Sequence, residues 1–326
     1  MGNTLRAVWL EVRVIPVLLW SFSALTLGTA LAARGAGLHV WYYLGAICLG
    51  VLIQGLLAHT VNEVEDWRSG TDRHPSPRMI SGGSKVIVTG LITTRGLRIL
   101  FAAAFAATAV LGLALVAARG LIVLPFGLAG VAGAILYTQP PVRAAYHPVA
   151  GEVVAFTCVV VCVTGAHVLQ GPGPGLVALL VAVAVAAYAV GMLMVHHYLD
   201  RDADRSATPP KVTTIVWLGP VRGRRYAIGW CVVALAAAIA AAAAEPRLAP
   251  LPLGYAAGLA AHIRCRPTDV GSVTVCETAI IVCGIAGALV SAALLVPQLW
   301  WAVAAAAGLF VLELRLAPAP PDTVPG

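Results

Sequence analysis

Ten apolar runs, separated by short polar or breaker-rich stretches, organise the chain. They lie at roughly 14–33, 41–61, 97–118, 121–137, 151–169, 176–198, 226–244, 251–263, 273–295 and 299–314. Repeated runs of about 18 or more apolar residues predict membrane-crossing helices, so the pattern reads as all-α, a polytopic helical membrane bundle. The run at 251–263 is short for a hydrocarbon core of about 30 Å, and 299–314 fits a surface helix as well as a span. Arg119-Gly120, the Gly171-Pro172-Gly173-Pro174 stretch and the segment from Pro246 to Pro252 break the runs apart. With no strand predicted, neither a glycine-rich nucleotide loop nor a hydrolase nucleophile elbow has a strand–turn–helix setting.

Composition agrees with the pattern. The chain has 326 residues, 60% hydrophobic and only 11% charged, with a mean hydropathy of +0.90. A soluble domain with so little charge would expose large apolar patches. The N-terminal stretch, with Arg6, Glu11 and Arg13 ahead of the first run, lacks a small-residue cleavage site, which predicts a retained first span. The seven cysteines are spread singly, without the spacing of a zinc ribbon or a disulfide framework.

Against this apolar background, seven of the 14 acidic residues fall in two short windows. The first runs from Asn62 to Asp72 and holds Glu63, Glu65, Asp66 and Asp72; the second runs from His196 to Asp204 and holds Asp200, Asp202 and Asp204. If the second span continues as helix, Asn62 and Asp66 share a face one turn apart, and Gly70 lets Asp72 swing back towards them. Asp200 and Asp204 have the same four-residue spacing, while Asp202 points elsewhere. Carboxylates bunched at a membrane edge repel and cost desolvation energy, so they need a compensating cation. Magnesium suits them, because it binds through one or two carboxylates and fills its other positions with water and substrate phosphate. The bland alternative makes each window a solvated loop paired to its own arginines, Arg68 and Arg73 or Arg201 and Arg205.

The net charge of +7 is a topology signal here and not a nucleic-acid footprint. With the N-terminus inside, 18 of the 21 Lys and Arg residues fall in inside segments, and only Arg34, Arg119 and Arg247 fall outside. This predicts a multi-pass protein of the cell membrane with both acidic windows on the cytoplasmic side. Residues 1–315 read as one transmembrane domain and 316–326, with the Ala317-Pro318-Ala319-Pro320-Pro321 stretch, as a disordered tail.

The first window resembles the N-D-x-x-D-x-x-x-G-x-D motif of the UbiA superfamily of intramembrane prenyltransferases. The second window, with Lys211-Val212-Thr213-Thr214-Ile215-Val216-Trp217-Leu218-Gly219 downstream, resembles the N-N-x-R-D-x-x-x-D … K-x-T-x-x-V-x-L-G segment of the dihydroxynaphthoate-prenylating (menaquinone-pathway) branch. Ser81-Gly82-Gly83-Ser84-Lys85 resembles the glycine-rich loop after the first motif, and Tyr137-Thr138 and Gly151-Glu152 sit where that branch has its fourth and fifth spans. The chain departs from the branch where Glu63 replaces an aspartate, His196-His197 replaces the asparagine pair, Leu199 replaces the arginine and Pro210 replaces the glycine before the lysine.

The resemblance implies about nine transmembrane helices round a central cavity, two magnesium ions and an isoprenyl diphosphate donor. By position it makes Asn62, Asp66 and Asp72 ligands of one motif and Asp200 and Asp204 ligands of the other. By the same resemblance Lys85 and Lys211 neutralise the diphosphate and Tyr137 lies near the reacting carbon; Arg143 is a further candidate for the diphosphate. Glu63, Glu65, Arg68, Asp202, His196, His197 and Glu152 are further candidates; Glu152 either faces the cavity or stabilises a helix N-terminus. The acceptor stays open between a small aromatic molecule, giving a prenyltransferase, and the donor's own double bonds, giving a terpene cyclase. An ion-coupled transporter is a third reading, disfavoured because the acidic windows sit at span ends. A transition-metal site at His196 and His197 is also disfavoured, since neighbouring helical positions point about 100° apart. Tyr188 and the Cys158/Cys162 pair are expected to pack.

Overall fold

The computed structural model describes residues 3–73 and 83–316, and all of its regular structure is helical. Eight helices are long and apolar enough to cross a membrane: α1 (Thr4–Gly35), α2 (Val40–Ser69), α3 (Thr94–Arg119), α5 (Ala150–Gln170), α6 (Leu176–His196), α7 (Thr214–Ala244), α9 (Val270–Leu295) and α10 (Pro297–Leu316). Two shorter ones complete the bundle, α4 (Leu121–Leu136) and α8 (Pro250–Arg264). All ten apolar runs are therefore helical, and the polytopic all-α expectation holds, close to the nine spans that the resemblance implies. At about 1.5 Å per residue the 15 residues of α8 reach about 22 Å, the shortfall its sequence predicted. The expected tail lies outside the described residues except for Leu316, which ends α10, and so do Ser81 and Gly82.

The observed helices overrun the apolar runs. Helix α2 continues to Ser69 and carries the first acidic window on its last turns. Helix α7 starts at Thr214, twelve residues before its apolar run, and bends at Gly219-Pro220, where Gly219 takes φ +73°. Helix α6 lies at the centre, its Ala184, Ala186, Ala187 and Val190 fully buried. Small residues bring its neighbours close, as in membrane bundles generally: Gly28 of α1 rests on the Val163 backbone of α5, and Gly258 of α8 and Gly284 of α9 flank Tyr188. Tyr188 stacks on Tyr255 at 4.0 Å and donates to the Ile280 carbonyl at 2.9 Å, the packing role expected for it.

The three arginines assigned to the outside sit at the opposite helix ends from the acidic windows. Arg34 and Arg247 both pair with Glu245, and Arg119 donates to the carbonyls of Leu169 and Gly171. Helices α1 and α2 widen into π-helical stretches at Leu18–Phe22 and Val51–Ala58. There the Ser21 amide donates to the Gln54 side-chain oxygen at 3.1 Å, satisfying a backbone group that the irregular turn releases.

Candidate active site

An apolar cavity of about 670 Å³ runs between α1, α2, α3, α4, α5 and α6. One end collects Asn62, Asp66, Asp72, Tyr137, His196, His197, Asp200, Asp204 and Lys211. The remainder is lined by hydrocarbon and small residues, among them Ile53, Phe105, Phe126, Val131, Val159, Ala166 and Leu169. Leu113 on α3 and Leu128 on α4 line it while being 66% and 60% exposed, so the hollow reaches the lipid-facing surface at these two helices.

Local backbone signals place the first acidic group. Gly70 ends α2 in the left-handed region at φ +91°, and both the Gly70 and Asp72 amides return to the Asp66 carbonyl, at 3.1 and 3.3 Å. This reversal brings Asp72 back over the last turn. Asn62 donates to Asp66 Oδ2 at 2.9 Å, the one-turn contact that the spacing predicts. For the second group, α6 ends at His196, the chain turns through Asp200, and the short helix Arg201–Ser206 follows. The Asp204 amide donates to the Asp200 carbonyl at 2.8 Å, keeping that pair one turn apart. Tyr198 anchors the turn by a 2.7 Å hydrogen bond to His262 of α8.

The segment 207–213 then crosses the end of α2 and joins both groups. Thr208 N donates to the Ser69 carbonyl at 2.8 Å, Lys211 N to the Asp204 carbonyl at 2.9 Å and Val212 N to the Tyr146 carbonyl at 3.2 Å. These bonds aim Lys211 between the windows, with its Nζ 2.7 Å from Asp66 Oδ2 and 3.9 Å from Asp204 Oδ1. Burial alone would lower the lysine's pKa, but Asp66 and Asp204 hold it well above its ordinary value, so the ammonium stays charged. Burial, with the charges of Asp66 and Glu63, pushes the Asp72 carboxyl well up.

The acidic residues of the two windows fall into separate sets. Asp66, Asp72, Asp200 and Asp204 reach the cavity. Glu65 instead pairs with Arg68 at 2.6 Å and Arg143 at 3.2 Å, and Asp202, 82% exposed at its side chain, pairs with Arg201 at 2.9 Å. Pairing with a neighbouring arginine thus describes Glu65 and Asp202. Arg143 is not among the cavity-lining residues; it lies over the Tyr146 ring at 5.4 Å. Arg68, Glu63, Lys85 and Glu152 do not line the cavity either. Glu63 is buried and accepts the Ser84 amide at 2.8 Å, so the residue that replaces aspartate holds the glycine-rich loop. Gly83 there takes φ +72°, and a Cβ would lie 2.7 Å from Asp72 Oδ2 and 2.9 Å from Glu63 Oε2, so a larger residue would be strained and would push both carboxylates aside. Lys85 is buried just beyond it, and Glu152 is buried in the first turn of α5. Cys158 and Cys162, expected to pack, line the cavity wall.

Sequence reasoning missed Tyr146, Glu11 and Arg13. Tyr146 donates to Asp66 Oδ1 at 2.8 Å and lies 5.6 Å from Lys211 Nζ. Burial and the Asp66 charge raise its pKa, so it donates as a neutral phenol. Glu11 accepts the Ser84 hydroxyl at 2.6 Å. Arg13 lines the cavity where α1 breaks at φ +51°. Its signal was a cation three residues before Pro16, at the head of the first apolar run. Glu11 and Tyr146 had no signal short of the tertiary contact.

The donor set fits a hard divalent cation. The Asp66, Asp72, Asp200 and Asp204 carboxylates offer oxygen at the end of an apolar cavity, and Asp72 Oδ2 is buried without a hydrogen-bond partner among the described residues. Among the described residues, no three His, Cys, Asp or Glu side chains form a ready-made metal cage.

The UbiA prenyltransferase family model matches residues 19–272. Among solved structures, the chain resembles a UbiA homologue from Archaeoglobus fulgidus bound to GPP and Mg2+, with a TM-score of 0.63 and 16% identity over 90% of this chain and 100% of that one. It also resembles digeranylgeranylglyceryl phosphate synthase, with a TM-score of 0.58 and 13% identity over 88% of this chain and 99% of that one. An apo UbiA homologue from Aeropyrum pernix K1 gives 0.55 and 15% over 87% and 98%. No curated protein sequence matches the chain.

Proposed function

We propose, from the premise that the chain belongs to the UbiA prenyltransferase family, that it is a magnesium-dependent intramembrane enzyme moving an isoprenyl group from its diphosphate to a small aromatic acceptor. The observation that carries this is the opening of Asp66, Asp72, Asp200, Asp204 and Lys211 into one end of a single apolar hollow. A diphosphate head belongs at that end and an isoprenyl tail along the hydrocarbon-lined remainder. A homologue of the same fold is bound to GPP and Mg2+. The reading includes two ions, one at each acidic group, and a cytoplasmic position for both groups, which the arginine and lysine distribution supports.

Asn62, Asp66 and Asp72 would hold one ion and Asp200 and Asp204 the other. A divalent ion held there would supply positive charge against the leaving diphosphate. The protein's own part is separable from that. Lys211 supplies a fixed ammonium at the junction of the two groups, oriented before any ligand arrives, which is where electrostatic stabilisation of a leaving anion is most effective. Tyr146 and Asn62 lock Asp66 in place. The wall from Ile53 to Leu169 excludes water, which would otherwise quench an allylic cation to an alcohol. Tyr137 lines the boundary between the polar end and the apolar run, beside the carbon that leaves oxygen. Lys85 and Arg143 act from behind the lining, Lys85 through the loop that carries Gly83 and Arg143 through Glu65 and Tyr146.

Purified protein incubated with radiolabelled geranylgeranyl diphosphate and magnesium, with and without hydroxylated aromatic acceptors, tests the reading. Prenylated acceptor that requires magnesium supports it. A cyclic hydrocarbon formed without acceptor makes the protein a terpene cyclase, and no metal-dependent reaction under any condition favours transport.

A further inference from the structure

Glu277 is a carboxylate that the diphosphate grip does not use. It lies on α9, is 1% exposed, and faces His196 across the bundle, with His196 Nδ1 3.0 Å from Glu277 Oε1. His196 ends α6 and lines the polar end of the cavity, one turn before Asp200. A carboxylate inside a span costs several kcal/mol unless it has a partner and marks a functional site by default. An imidazole can accept a proton near neutral pH, which the carboxylates and the ammonium at this end of the cavity are not suited to do.

We infer that His196, oriented by Glu277, is the base that takes the proton an aromatic acceptor loses on prenylation. The inference rests on the prenyl-transfer reading above. With Nδ1–H donated to Glu277, the basic lone pair of the ring is on Nε2, the arrangement by which a carboxylate fixes tautomer and stabilises the imidazolium that forms. The step balances. The donor's C1–O bond breaks and diphosphate leaves with the electron pair; C1 bonds to the electron-rich acceptor; the acceptor's proton passes to His196 Nε2 and from there to water after the product departs. His196 touches the acceptor, while Glu277 acts only through His196 and is a positioning residue.

The test measures a coupling ratio, prenylated product divided by total diphosphate released, for the full chain with geranylgeranyl diphosphate, magnesium and a panel of hydroxylated aromatic acceptors. The ratio is independent of how much of a variant folds. A general base contributes about 10²–10⁴-fold, so H196Q lowers the ratio about 100-fold as uncaptured cation goes to water, and E277Q lowers it about tenfold through loss of the oriented tautomer. A ratio within twofold of the wild type in H196Q overturns the base. A normal ratio in E277Q with an impaired H196Q overturns the dyad. Wild-type protein that releases no diphosphate removes the underlying reading, and wild-type transfer with unchanged ratios in both variants removes this inference alone.

Discussion

The Lys211 ammonium lies 2.7 Å from Asp66 and 3.9 Å from Asp204, so a single side chain joins two acidic segments that stand far apart in the sequence. The contact sits at the mouth of an apolar hollow that Asp200 and Asp72 also line. Removing one partner of a buried pair typically costs about 3–5 kcal/mol, because the other charge is left uncompensated. The K211M variant is expected to melt at a lower temperature than the wild type in detergent, to regain part of the loss on adding magnesium, and to lose at least about 100-fold in turnover. Thermal melting with and without magnesium checks the first two, and diphosphate release checks the third.

The division of the carboxylates predicts opposite outcomes for neighbouring residues. Asp66 and Asp200 reach the cavity, whereas Asp202 is exposed beside Arg201. D66N and D200N should abolish magnesium-dependent turnover while the protein still inserts into membranes, and D202N should stay within about twofold of the wild type. Surface substitutions away from packed features usually change stability by about 0.5 kcal/mol or less. Diphosphate release from matched amounts of membrane-inserted protein decides it.

Gly83 carries the loop against the two acidic side chains. A methyl group there meets Asp72 and Glu63 at 2.7 and 2.9 Å in a backbone conformation that disfavours any side chain. G83A is expected to cost at least about tenfold in turnover and to weaken the magnesium dependence. G229A has nothing within 4 Å of the added atom and serves as the control with near wild-type turnover. Magnesium titrations of both variants provide the comparison.

Chain length should be read by the end of the cavity remote from Asp66. Ala166 and Leu169 line that stretch on α5, facing Leu115 and Val123. Filling it with A166F should lower kcat/KM for a geranylgeranyl donor by at least about tenfold relative to a geranyl donor, the scale that a few methylene groups command in an apolar pocket. Competition between the two diphosphates at equal concentration reads the ratio directly.

Much of this arrangement was written into local spacing. The ten apolar runs, the shared face of Asn62 and Asp66, the reversal at Gly70 and the outward turn of Asp202 all follow from helical periodicity and from what glycine permits. The sorting of the remaining polar groups was not legible. Glu63 and Asp66 are three residues apart, yet one binds the Ser84 amide and the other faces the cavity, a distinction set by the glycine-rich loop. Arg143 reads as a phosphate ligand by sign and position, but the structure gives it to Glu65 and the Tyr146 ring. Tyr146 meets Asp66 across 80 residues and His196 meets Glu277 across 81. Cys158 and Cys162 have the spacing of packed residues, and only the hollow between α3, α4 and α5 turns them into lining.

The most direct measurement is a structure of the protein with manganese and a non-hydrolysable thiolo analogue of geranyl diphosphate, in which anomalous scattering locates the metal. The account predicts metal within coordinating distance of Asp66 or Asp72 and of Asp200 or Asp204, with the diphosphate between them beside Lys211 and the hydrocarbon tail running towards Leu169. Metal at only one acidic group, or analogue bound away from Lys211, would contradict it.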